Sequence, residues 1–178
     1  MNSFYTSQLF FLKGALNSQT ACRNKTKKDN AFYKGDGINM YTTLQTILLE
    51  TKDCYQKASN SIEHYQLRHV LAQLIEERVY LIRSIDIALT LNPKELSFLN
   101  ESELHKPILG IINRTQKEIL LNNQAAIVFN SIVQCETETL TLVKSLLMEA
   151  QQQTSRNLLS SLAASLQIRL DKLEQLEF

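Results

Sequence analysis

The sequence is poor in the residues that make turns. Its 178 residues include four glycines, two prolines and no tryptophan. A β-sandwich or β-barrel needs turn residues after every short strand, so these shortages exclude both architectures. The hydrophobic content of 44% is ordinary for a globular protein and excludes a chain that is disordered throughout. A chain of this length can bury a sizeable core within one domain.

Cysteines and long apolar runs are also scarce. Cys22, Cys54 and Cys135 are odd in number and widely spaced, without a Cys-x-x-Cys pair, so neither a zinc site nor a dithiol redox motif is predicted. We expect reduced thiols in a cytoplasmic protein, with Cys54 and Cys135 acting as small hydrophobic residues. The longest uncharged apolar run falls well short of the ~20 residues that cross a bilayer, so we expect no membrane partner.

The charge balance differs between two parts of the chain. The formal net charge of +1 is the sum of +4 for residues 1–37 and −3 for residues 38–178. Three of the four glycines also lie within residues 1–37. The pattern predicts a flexible basic N-terminal tail over 1–37 and a helical bundle over 38–178. A near-neutral protein offers no electrostatic reason for binding nucleic acid, so we expect none as a partner.

The N-terminal tail is open to three interpretations. The first interpretation is a flexible arm with a short helix over Phe4–Leu16. The second is a targeting segment, because an apolar run at Leu9–Leu12 precedes any acidic residue. The third interpretation is a start upstream of the biological one, with Met40 as the true first residue. The regular helical pattern begins at about that point.

The rest of the chain shows helical periodicity throughout. Apolar residues recur at steps of three and four, and Asn92-Pro93 and Asn122-Asn123 interrupt the pattern. Five helices are predicted, over 38–59, 63–91, 104–121, 124–151 and 155–177. Because short links make neighbouring helices antiparallel, we predict an all-α up-down four-helix bundle with one additional shorter helix in the middle connection. The apolar residues at these steps form a line along one side of each helix, which we call its apolar seam. The second helix has further apolar residues beside its seam, Ile75, Ile82 and Leu89, and these favour a homodimer or a protein partner.

Two charged residues interrupt the apolar seams. Arg78 stands in the seam of the second helix, and Glu136 in that of the fourth. A lone buried charge is costly, so we predict that they pair, with Glu50 as a possible third member. Tyr55 and Tyr80 are placed to hydrogen-bond this buried polar network. We interpret the network as a structural salt bridge that fixes helix order, and keep a polar functional site as the alternative.

Catalytic and metal-binding patterns are missing. A di-iron bundle needs Glu-x-x-His steps, but Ser61, Gln66 and Ser102 stand three residues before the three histidines. The sequence has no Gly-x-Gly-x-x-Gly, no phosphate-binding loop and no Gly-x-Ser-x-Gly motif. We therefore predict no catalytic residues, no metal ligands and no cofactor, and we identify no small-molecule substrate.

The order of these pieces resembles one protein family. Cys54-Tyr55-Gln56-Lys57-Ala58, the run Leu67–Leu74 leading to Glu77-Arg78, and Cys135-Glu136 are similar to motifs of uncharacterised bacterial ferritin-like bundles, a domain of unknown function related to the YciE/YciF stress-associated proteins. The resemblance covers about 40–178. Cys54 and Cys135 stand where the family usually has small residues, often glycine. The resemblance implies a ferritin-like bundle in a bacterial cytoplasm and supplies no reaction.

Three functions follow as hypotheses. The first is a non-enzymatic, stress-associated bundle without a di-iron site, which acts through self-assembly or partner binding. The second is a metal-dependent, iron-handling member of the ferritin-like superfamily. The third is a helical adaptor or sensor that binds an amphipathic partner helix. The third requires an apolar stripe that stays exposed after the core is filled.

Overall fold

The computed structural model describes residues 39–93, 96 and 105–176. The chain divides between Asp36 and Gly37, and all the described residues lie in the second unit, Gly37–Phe178. The interpretations of the N-terminal tail, together with Cys22 and Leu104, fall outside the described residues.

The described residues form five α-helices, which confirms the all-α class. They are α1 Met40–Ser61, α2 Tyr65–Leu91, α3 Lys106–Leu121, α4 Ala125–Glu149 and α5 Gln153–Leu173. Each end lies within four residues of its predicted position. The largest difference is at the end of α5, where Leu176 is 42% exposed and lies beyond the helix instead of continuing its apolar seam.

Local chemistry explains several of these helix ends. The Asn39 side chain accepts a hydrogen bond from the backbone N–H of Tyr41, which caps α1. His64 takes the same role at the start of α2, where its ring nitrogen accepts from the N–H of Leu67. Helix α2 ends before Asn92-Pro93, and Pro107 occupies the first turn of α3, where a missing N–H costs nothing.

The five helices form a closed ring in the order α1, α3, α4, α5, α2. Helix α1 packs against α2 and α3, α4 packs against α3 and α5, and α5 returns to α2. The short helix α3 therefore lies between α1 and α4 and contacts both. The side of each helix that faces into the ring forms one hydrophobic core.

The predicted apolar seams supply most of this core. The seam residues of α1 are all buried, and those of α5 are buried from Leu159 to Leu173. Ile75, Ile82 and Leu89 are partly buried and pack against the same core. Part of their surface is therefore used inside the subunit, and the homodimer or protein partner expected from them stays a prediction.

Candidate functional site

The buried polar network joins helices from three sides of the ring. Arg78 of α2 and Glu136 of α4 are 2% and 1% exposed. The Nη2 of Arg78 donates a hydrogen bond to Oε1 of Glu136 at 2.6 Å. The predicted pairing of these two residues is confirmed. A hydrogen-bonded ion pair is the arrangement that makes two buried charges tolerable in an apolar core.

Tyr55 of α1 completes the network. Its hydroxyl donates to the same Oε1 of Glu136 at 2.6 Å, and the side chain is fully buried. Burial, with the neighbouring Cys135 and Glu136, raises the pKa of Tyr55 well above its ordinary value. The phenol therefore stays protonated and remains a donor. Desolvation lowers the pKa of Arg78, but attraction to Glu136 and the contribution of Tyr55 outweigh it, so the net pKa is raised.

The prediction that Glu50 and Tyr80 belong to this network was wrong. Glu50 is exposed on α1, and Tyr80 is 63% exposed on α2. Helical geometry accounts for both positions. Tyr80 lies two residues after Arg78, about 200° around the helix, and Glu50 lies five residues before Tyr55, about 140° away. Tyr80 therefore cannot share the inward side of α2 with Arg78, and Glu50 cannot share the inward side of α1 with Tyr55.

Two thiols lie near the network and are poor nucleophiles. Cys135 is fully buried and Cys54 is 5% exposed. Burial raises the pKa of Cys54 to about 12, with a further contribution from Cys135. Burial, reinforced by Glu136, also raises the pKa of Cys135. A thiolate is the reactive form of cysteine, so neither residue is prepared for nucleophilic or redox chemistry.

The described residues contain no cluster of three or more His, Cys, Asp or Glu that could hold a metal ion. Each histidine in this part of the chain has another contact. His64 caps α2, His69 bonds to Gln73, and Nε2 of His105 lies 3.4 Å from Glu149. The only carboxylate in the described network, Glu136, already accepts from Arg78 and Tyr55.

A surface groove of about 450 Å³ lies between α2 and α5. Glu77 of α2 pairs with Arg169 of α5 across it, and Arg169 also bonds to Gln73. Leu81 and Leu166 contribute an apolar floor. The pair between Glu77 and Arg169 could not be predicted from the sequence, because nothing in the pattern of either helix indicates that α2 and α5 are neighbours.

The side of α2 that faces away from the core carries an apolar surface beside this groove. Five of the twelve large apolar side chains that are exposed among the described residues belong to α2, more than to any other helix. We define the outer face of α2 by its exposed residues Tyr65, Ala72, Glu76, Val79, Tyr80, Arg83, Ile87 and Leu91. This face could have been found in the sequence, because its residues recur at steps of three and four on the side of α2 opposite the apolar seam.

A second groove of about 420 Å³ lies between α1 and α3. Its charged lining residues include Glu50, Asp53, Lys57 and Lys117, all of them exposed. Gln116 bonds to Thr51 at 2.8 Å and accepts weakly from the Cys54 thiol through its backbone oxygen at 3.4 Å. The mixed charges and satisfied polar groups single out no ligand for this groove.

Comparison with known proteins gave no match to the chain, whether among protein-family models, curated proteins or solved structures. Among the described residues, no helix is long and apolar enough to cross a membrane. Function must therefore be inferred from the two sides of α2, the inward side that carries Arg78 and the exposed outer face.

Proposed function

We propose that this protein is a non-enzymatic helical bundle that acts by binding a protein partner on the outer face of α2. The observation that carries the proposal is the exposure of that face. Val79 is 53%, Tyr80 63% and Ile87 50% exposed, and Tyr80 also lines the groove between α2 and α5. Adjacent exposed apolar residues on one helix are typical of an interaction surface.

The buried network supports a structural role instead of a catalytic one. A catalytic group must reach its substrate, whereas Arg78 and Glu136 are almost completely enclosed. The Oε1 of Glu136 accepts hydrogen bonds from both Tyr55 and Arg78, and the nearby thiols have raised pKa values. We therefore assign the network to fixing the positions of α1, α2 and α4.

The ferritin-like arrangement stays part of the proposal. A ferritin-like bundle in a stress-associated bacterial cytoplasmic protein is what the family resemblance implies, with α3 lying between α1 and α4. The metal-dependent alternative would require a donor set outside the described residues, since these contain no cluster of three ligand-type side chains. An adaptor that receives an amphipathic helix agrees with the exposed apolar face and the adjoining groove.

Site-specific photocrosslinking tests the proposal. A photoreactive phenylalanine analogue is introduced at position 80 or 87 of the full chain, which is produced at low level in cells. We expect crosslinked species of defined mass from both positions. The matched control is position 148, because Met148 is 87% exposed but lies on α4. A control position should give little or no product.

Specificity is checked with Ile87→Lys in the chain that carries the crosslinker at position 80. A charged side chain in the apolar surface should remove the product if the two positions belong to one interface. The proposal is wrong if positions 80 and 87 crosslink no better than position 148. Mass spectrometry of the product then distinguishes a second copy of the chain from a different protein.

A further inference from the structure

The outer face of α2 carries two charges that the rest of the described chain leaves unpaired. Glu76 and Arg83 are exposed, and neither has an ion pair or side-chain hydrogen bond among the described residues. They are seven residues apart, so they lie on the same side of the helix, about 10.5 Å apart along its axis. That separation is too large for them to pair with each other within one helix.

Six of the eight residues of the outer face of α2 fall into pairs about one point, and Tyr65 and Leu91 lie outside these pairs. Glu76 and Arg83 are equally far from the midpoint between Val79 and Tyr80. The small Ala72 and the large Ile87 are also equally far from it. If two copies of α2 cross antiparallel at this midpoint, each residue of one copy faces the residue of the other copy that is equally far from the midpoint on its opposite side. Glu76 then faces an arginine, and Ala72 faces a large apolar side chain.

We infer that the outer face of α2 binds a second copy of this chain, in an antiparallel dimer whose two-fold axis passes between Val79 and Tyr80. A two-fold interface uses the same surface on both subunits and must be self-complementary. This face meets that condition twice, because each Glu76 faces Arg83 of the other copy. The apolar centre supplies the burial, and the charges set the direction and the register.

The charges exclude the other way of pairing two copies. In a parallel pair with the same register, Glu76 would lie against Glu76 and Arg83 against Arg83. Like charges in contact oppose association. Partners of another kind would need a face that matches this one, whereas a second copy already has the required pattern. The inference rests on the proposed function, since it names the occupant of the same surface.

Sedimentation equilibrium of the full chain and its charge variants tests this dimer. The wild-type chain should be a dimer that dissociates on dilution. Glu76→Arg and Arg83→Glu should each weaken self-association by at least about tenfold, because each variant places like charges opposite one another twice. An equimolar mixture of the two variants should form a heterodimer, and the variant with both substitutions should self-associate about as well as wild type.

A matched control is Glu63→Arg, which makes the same charge change at an exposed residue before α2. It should leave the association constant unchanged, and circular dichroism of every variant should show the helical content of wild type. A wild-type chain that remains monomeric up to about 100 μM overturns the inference. Failure of the mixed variants to restore association overturns the antiparallel register.

The two proposals fail in different ways. If the wild-type chain is monomeric but position 87 crosslinks to another protein, the second-copy inference is wrong and the proposed function stands. If the chain is monomeric and neither position 80 nor position 87 gives a product, both are wrong. A product of twice the chain mass that disappears in Glu76→Arg supports both.

Discussion

Two adjacent residues of α2, Glu77 and Arg78, each form an arginine–glutamate ion pair, and the two pairs have different surroundings. Arg78 points inward to Glu136 of α4, and both side chains are 2% exposed. Glu77 points to Arg169 of α5 at the surface groove, where the two side chains are 39% and 11% exposed. Successive residues of a helix differ by about 100° in direction, which is enough to place one pair in the core and the other at its edge.

The difference shows how burial sets the energetic role of the same chemical pair. At the groove, Glu77 borders solvent and Arg169 has Gln73 as a second partner, so the loss of one charge is partly compensated and the pair contributes less to stability. In the core, removal of one partner leaves a charge that nothing solvates, which costs several kcal/mol. The buried pair acts mainly as a constraint, because any helix arrangement that separates Arg78 from Glu136 is strongly disfavoured.

The largest expected effect comes from breaking the buried pair. Glu136→Ala should lower the free energy of unfolding by about 3–5 kcal/mol, because it leaves Arg78 charged and buried without its acceptor. Arg78→Ala should cost about 3 kcal/mol or more for the converse reason. Urea denaturation followed by circular dichroism measures both. A loss below about 1 kcal/mol in either variant would contradict this account of the core.

A double variant serves as the control for that result. Arg78→Met combined with Glu136→Leu removes both charges together and fills the space with apolar atoms. It should be clearly more stable than either single variant, since no unpaired charge remains. Equal instability of the single and double variants would show that lost packing, and not an unpaired charge, is responsible.

An intermediate effect is expected from the tyrosine that joins the network. Tyr55→Phe removes the hydroxyl that donates to Glu136 and keeps the ring, so it should cost about 1.5–3 kcal/mol. Tyr65→Phe is the matched control, because Tyr65 is 76% exposed and should change stability by less than about 0.5 kcal/mol. Equal losses from the two substitutions would show that the hydrogen bond from Tyr55 to Glu136 does not contribute to stability.

The smallest effect is expected at the surface groove. Glu77→Ala should lower the free energy of unfolding by less than about 1 kcal/mol, because Arg169 lies at the edge of the surface groove and keeps its hydrogen bond to Gln73. Burial lowers the pKa of Arg169, whose side chain is 11% exposed. The same denaturation measurement checks the result at low and high salt. A loss above about 2 kcal/mol would contradict this prediction, because the surface pair would then stabilise the fold about as much as the buried pair.

Residues that follow one helix's periodicity could be predicted from the sequence. The seam of α2 identifies Arg78 as inward, and the seam of α4 does the same for Glu136. Two isolated charges in one core must meet, so their pairing also followed. The inclusion of Glu50 and Tyr80 failed because neither side chain points to the inward side of its helix. Attention to the turn of about 100° per residue would have excluded both.

The sequence by itself determined five helices, their approximate ends and the apolar side of each. These features depend on local propensity, on punctuation such as Asn92-Pro93, and on a period of 3.6 residues. Only the tertiary structure decided which helices are neighbours. It placed α3 between α1 and α4, brought Glu77 to Arg169, and left the outer face of α2 uncovered. An apolar side requires burial but does not specify its partner, so neighbours are selected by how all five helices pack together.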